Sequence, residues 1–108
     1  MPQIVIRGIL AEQVSIIEKS MVEELSLITG TKKDDFTIEV FQTERIKDGS
    51  ITTDYPFIEI KWFDRGQEVQ NKVALAITGK LEEIGITEAD VYFIHLKPEN
   101  YYYKGKHY

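Results

Sequence analysis

Residues 56–63, Pro56-Phe57-Ile58-Glu59-Ile60-Lys61-Trp62-Phe63, restate at an offset of 54 residues the stretch that opens the chain, Pro2-Gln3-Ile4-Val5-Ile6-Arg7. Both runs are rich in β-branched and aromatic residues and both are entered through a proline, so each predicts a short strand. Each is followed by a helical stripe. Val14, Ile17, Met21, Leu25 and Ile28 recur at intervals of three and four, which predicts a helix over about 11–29 with Gly30 as its C-terminal cap. Val69, Val73, Ile77, Leu81 and Ile84 do the same after the second run, with Gly79 as a weak point and Gly85 as the end. Asp64 and Gln67 stand in front of that helix at the spacing of a capping box.

A second strand closes each unit, Phe36 to Phe41 in the first and Val91 to Leu96 in the second. Asp35-Phe36 follows Gly30 as Asp90-Val91 follows Gly85, at an offset of 55 residues. The predicted fold class is therefore α+β, with two consecutive β-α-β units over about 2–41 and 56–96 in a single domain spanning 1–108. Each unit makes a right-handed crossover between parallel strands, and the four strands form one mixed sheet with both helices on one face. A ferredoxin-like sheet has the same element order but interleaves the strands of the two halves, and periodicity is compatible with either. Between the halves, Gln42 to Asp54 contains the turn-rich KDGSITTD, which reads as a short extra hairpin or a loop.

Strand alternation assigns Gln3, Val5, Arg7, Thr37, Glu39, Phe41, Glu59, Lys61, Tyr92, Ile94 and Leu96 to the sheet face away from the helices. That mixture is too charged for a monomer core and too apolar for a solvated surface. It predicts cover by self-association, with the charges paired across or between subunits.

Composition narrows the function classes. The 108 residues suit a domain that buries roughly 65% of its unfolded surface, which leaves association with something to add. There is no cysteine, so no disulfide framework, thiolate nucleophile or thiolate metal site arises. The net charge of -5 opposes binding to phosphate backbones, which argues against a nucleic-acid partner despite the Tyr101-Tyr102-Tyr103 cluster. No apolar run approaches a membrane span and the opening residues lack a secretory pattern, so a cytoplasmic address without a membrane partner is expected. Two separated histidines, His95 and His107, do not make a metal site, and no GxGxxG or phosphate loop calls for a nucleotide; no cofactor is expected.

Four stretches, MPQIVIRG, LITGTKKDDFTIEV, YPFIEIKW and ADVYFIHL, together span almost the whole chain. On them it resembles the tautomerase (macrophage migration inhibitory factor-like) superfamily, and within it the uncharacterised DUF1904 family. The resemblance implies a homotrimer whose non-helical sheet faces line the centre, and active sites between neighbouring subunits. It also implies a general base at Pro2, exposed by removal of Met1, for keto-enol isomerisation of a small keto or enol acid. Two departures stand out: Glu39 occupies the place of a substrate-binding arginine of the short isomerases, and Ile94 replaces an asparagine of the cytokine-like members.

The chemistry can be stated from the residues. With Met1 removed, Pro2 is a secondary amine, and a partly apolar pocket with a nearby cation lowers its pKa toward the range useful for a base. With Met1 retained, the same nitrogen is an amide without a basic lone pair. Arg7 can supply the cation or grip a substrate carboxylate, Lys32 and Tyr92 can donate to developing enolate charge, and Trp62 and Phe63 can form an apolar wall. Each has another reading: Pro2 stiffens a strand start, Lys32 sits in the solvated KKDD run, Arg45 is a surface charge, and Tyr92 falls where the resemblance implies an intersubunit tyrosine. Three functions follow, a cofactor-independent tautomerase, a non-catalytic homo-oligomeric binding or interaction protein, and a ligand-sensing module of ferredoxin-like topology.

Overall fold

The computed structural model describes residues 1–108. Strand β1 (Gln3–Arg7) leads to helix α1 (Ala11–Thr29) and a 3-10 turn over Lys33–Asp35, then to β2 (Thr37–Phe41). A hairpin of β3 (Arg45–Lys47) and β4 (Ser50–Thr52) precedes β5 (Phe57–Phe63), α2 (Gln67–Glu83) and β6 (Asp90–Leu96). After a turn at Pro98–Asn100, β7 (Tyr102–Tyr103) and β8 (Lys106–His107) form a second hairpin.

The main sheet has the order β2-β1-β5-β6. Strands β1 and β2 run parallel, as do β5 and β6, while β1 and β5 meet antiparallel in the middle. Each β-α-β unit keeps its own parallel pair together, which settles the choice against the interleaved ferredoxin-like order. The internal repeat extends to single bonds, since the Thr37 N–H donates to the Pro2 carbonyl at 3.1 Å and the Asp90 N–H donates to the Pro56 carbonyl at 3.1 Å.

Alternation decides what the sheet buries. Ile4 and Ile6 of β1 and Ile58, Ile60 and Trp62 of β5 point into the core with Val14, Ile17, Met21 and Leu25 of α1 and Val73, Ile77 and Leu81 of α2. Burying each aliphatic side chain of this kind stabilises the fold by about 1.5–3 kcal/mol. Lys80 of α2 reaches Glu24 of α1 at 3.8 Å and its own-helix Glu83 at 3.3 Å, a charged clasp over the line where the helices meet. Helix α1 begins and ends where its stripe predicts, and Gly30 adopts the left-handed conformation (φ 70°) that lets its N–H reach the Ser26 carbonyl.

The predicted capping box of α2 does not form. Gly66, with φ 86°, is the N-cap, Asp64 accepts from the Gly66 N–H at 2.9 Å, and Gln67 donates instead to Asn71 at 2.8 Å. The Asx turn and the glycine start the helix two residues later than a cap at Asp64 would. The 42–54 connection takes the hairpin form, with Asp48-Gly49 both at positive φ in the turn.

Gly8 has the least room of the glycines. Its φ is +83°, and a Cβ there would lie 2.3 Å from the Tyr55 carbonyl oxygen, where the segment entering β5 crosses the end of β1. Gly8→Ala should therefore cost about 2–3 kcal/mol, read as a lower urea midpoint at unchanged slope. An unaltered midpoint would show that this crossing relaxes freely.

Candidate functional site around the N-terminus

Beyond Gly30 the chain turns through Thr31 and Lys32 into the short 3-10 turn and returns beside β1. This carries Thr31, Lys32 and Asp35 to the N-terminal end of that strand. From the other side, β5 ends at Phe63 and the Asp64-Arg65-Gly66 turn folds Arg65 back over the sheet end. The Arg65 guanidinium donates to the Phe63 carbonyl at 3.0 Å and to Thr31 Oγ1 at 3.1 Å, and it lies 4.8 Å from the centre of the Trp62 ring. No carboxylate lies within ion-pair distance of it. Burial holds it below its ordinary pKa, and the two bonds above engage two of its five N–H donors.

These segments enclose a cleft of about 620 Å³ lined by Met1, Lys32, Asp35, Phe63, Arg65 and the C-terminal tyrosines Tyr103 and Tyr108. The last eight residues form its third wall. Tyr101 and Tyr108 pack on Phe63 at ring separations of 5.4 and 5.3 Å and on each other at 5.1 Å, and Gln3 donates to the Tyr101 hydroxyl at 3.3 Å. The Met1 amine is held below its ordinary pKa, first by burial and then by the Arg65 charge, with Asp35 pulling the other way. The Pro2 ring behind it is fully buried.

Of the residues singled out from the sequence, Lys32 and Phe63 line this cleft, while Pro2 lies behind the lining residue Met1 with its side chain buried. Trp62 does not line it from the sheet surface: it is 1% exposed in the core against Phe93, and its indole N–H has no acceptor. Its parity with Ile58 and Ile60 foretold that side. Arg7 and Tyr92 lie elsewhere in the chain, because Arg7 ends β1 where Pro2 precedes it, roughly 16 Å along the strand. Arg65 and Asp35 were not singled out. Arg65 was hidden in a turn that reads as a helix start, and Asp35 in the KKDD charge run.

Arg7 and Tyr92 belong to a network on the sheet face away from the helices. Arg7 donates to the Tyr92 hydroxyl at 3.3 Å, Tyr92 donates to Glu59 at 2.8 Å, and Lys61 pairs with Glu59 at 3.3 Å. Tyr92 has thus committed its single proton to Glu59. The same face carries Glu39 without an ion-pair partner and leaves Phe41 and Ile94 substantially exposed.

Comparison with known proteins places the chain. Residues 1–107 match the family described as Domain of unknown function (DUF1904). The chain belongs to the DUF1904 family. A crystal structure of a DUF1904 domain from Sebaldella termitidis is 32% identical, with all of both chains covered and a TM-score of 0.92. A protein of unknown function from Vibrio cholerae is 29% identical over 99% of this chain and 87% of that one, with a TM-score of 0.88. A macrophage migration inhibitory factor-like protein from Entamoeba histolytica is 20% identical over 99% and 98% of the two chains, with a TM-score of 0.75. This DUF1904 chain therefore has the tautomerase/MIF-like fold. No curated protein matches its sequence. No helix is long and apolar enough to cross a membrane.

The Glu59 carboxyl is held below the ordinary range, chiefly by the Tyr92 hydrogen bond and further by Lys61 and Arg7, against an opposing contribution from burial. A carboxyl depressed in the folded state stabilises above its unfolded pKa and loses that contribution as pH falls through the folded value. The advantage of the wild-type chain over Glu59→Gln, measured by urea unfolding, should be largest at neutral pH and shrink below about pH 4.3. A pH-independent difference would mean that the network contributes no linkage.

Proposed function

We propose that the chain, once Met1 is removed, is a cofactor-independent keto-enol tautomerase acting on a small keto or enol acid. The observation that carries this reading is the unpaired, partly buried Arg65 guanidinium facing the start of the chain across the cleft. Arg65 binds the substrate carboxylate through donors not already engaged by Phe63 and Thr31. The free Pro2 amine removes the proton from the carbon next to the keto group and returns it after charge has moved to oxygen. Lys32 stabilises that oxygen, and Phe63 supplies an apolar side. The buried ring and the Thr37 hydrogen bond to its carbonyl keep Pro2 in place when Met1 is absent.

Arg7 and Tyr92 enter this reading from a neighbouring copy. We take the mixed face of the sheet as the surface of self-association, in a homotrimer, and there the Arg7–Tyr92–Glu59 network of one subunit meets the cleft of the next. Sedimentation should give three times the chain mass, and Ile94→Glu should release smaller species; a wild-type monomer at assay concentration would remove the composite site.

The second reading, a non-catalytic homo-oligomeric binding protein, is favoured by the hydroxyl proton of Tyr92, which already serves Glu59. Enol-acid turnover by protein proved by intact mass to lack Met1 separates the two. The tautomerase reading expects Pro2→Ala to lower kcat by roughly 10²–10⁴-fold. It expects Arg65→Ala to act mainly by raising KM. Absence of turnover in the processed wild-type chain, across phenyl-substituted and aliphatic enol acids, leaves the binding protein.

A further inference from the structure

At the opposite end of β1 from Pro2 lies a separate cleft of about 280 Å³, lined by Arg7, Arg45, Glu44, Asp54, Tyr55 and Phe57 among others. They come from three separate stretches: the end of β1, the start of β3 with the residue before it, and the start of β5 with the segment entering it. Two guanidinium groups and two carboxylates therefore face one small volume. None of these four side chains forms an ion pair with another, and the ion pairs of the chain lie elsewhere.

Opposite charges around a small cavity close on one another when their side chains are free to do so. Arg7 is not free: its guanidinium sits 4.7 Å from the centre of the Phe57 ring and is tied to the Tyr92 hydroxyl. Phe57 is in turn packed edge-on against Tyr55 at 5.3 Å. The cleft thus holds positive and negative groups that are not paired with one another, with Arg7 fixed in place, and adds two aromatic rings beside them.

From this arrangement we propose that the cleft binds a free α-amino acid. Its carboxylate meets Arg7 and Arg45, its ammonium meets Glu44 and Asp54, and its side chain lies against Tyr55 and Phe57. A simple anion gains from the arginines but is repelled by the two carboxylates, and a simple cation meets the converse. A zwitterion satisfies both pairs while leaving the net charge of the site unchanged. The volume, at the small end of ligand pockets, suits a molecule of that size. This site uses none of Pro2, Lys32 and Arg65 and shares only Arg7 with the composite site proposed above.

The test uses L-phenylalanine as probe, with phenethylamine lacking the carboxylate and 3-phenylpropanoate lacking the ammonium, followed by NMR titration of the full chain. Saturable shifts of Tyr55 and Phe57 are expected for phenylalanine, with both analogues at least about tenfold weaker, as loss of a charge-assisted hydrogen bond implies. Arg45→Gln, on an exposed strand, should abolish the advantage over phenethylamine, and Asp54→Asn should abolish the advantage over 3-phenylpropanoate. Arg65→Ala should leave phenylalanine binding unchanged. The proposal is overturned by absence of saturation, by equal binding of all three probes, or by shifts confined to Phe63 and Tyr103 in the other cleft.

Discussion

The antiparallel pairing of β1 with β5 is the joint on which the molecule turns. Either β-α-β unit alone would offer two strands and one helix, too little to bury its own apolar face. Setting Ile4 opposite Ile60 and Ile6 opposite Ile58 makes one continuous floor from the two halves, and α1 and α2 share it. The register also brings the Tyr55 carbonyl over Gly8, so the seam admits no side chain at that crossing. The ends of both parallel pairs, where the two clefts open, are placed by that same seam.

Repetition made most of this fold legible in the residues. The proline-led strands, the two stripes and the Gly30 and Gly85 stops are local signals, each with a direct physical cause, and local signals survive folding when the core merely adds to them. The order of the strands was not local. Interleaved and side-by-side sheets bury the same faces, and only long-range pairing tells them apart. The start of α2 was missed for a different reason, because an Asx turn at Asp64 and a positive φ at Gly66 compete with a capping box built from the same residues.

The candidate site was legible only where it coincides with a chain terminus or a strand end. Pro2, Lys32 and Phe63 were singled out because the resemblance and the strand pattern point at them, while Trp62 was singled out beside Phe63 although its parity sends it into the core. Arg65 shows the reverse case. Nothing about an arginine in a turn marks it as functional until the turn is seen to fold back onto Thr31 and the Phe63 carbonyl. Arg7 shares a strand with the position of Pro2 and nevertheless serves the other end of the sheet, since an extended strand separates what a sequence reading places side by side.

The tyrosine-rich hairpin gives the N-terminal cleft walls that are anchored in different ways. One side, carrying Phe63 and Arg65, is anchored to the central strand and the core, whereas the other is held by aromatic packing and by the Gln3 bond to Tyr101. A wall held by side-chain packing and one side-chain hydrogen bond opens more readily than one continuous with the core. Breathing of that hairpin would widen the entrance without disturbing the sheet, so exchange of molecules with solvent can proceed while the opposite wall keeps its charge in position.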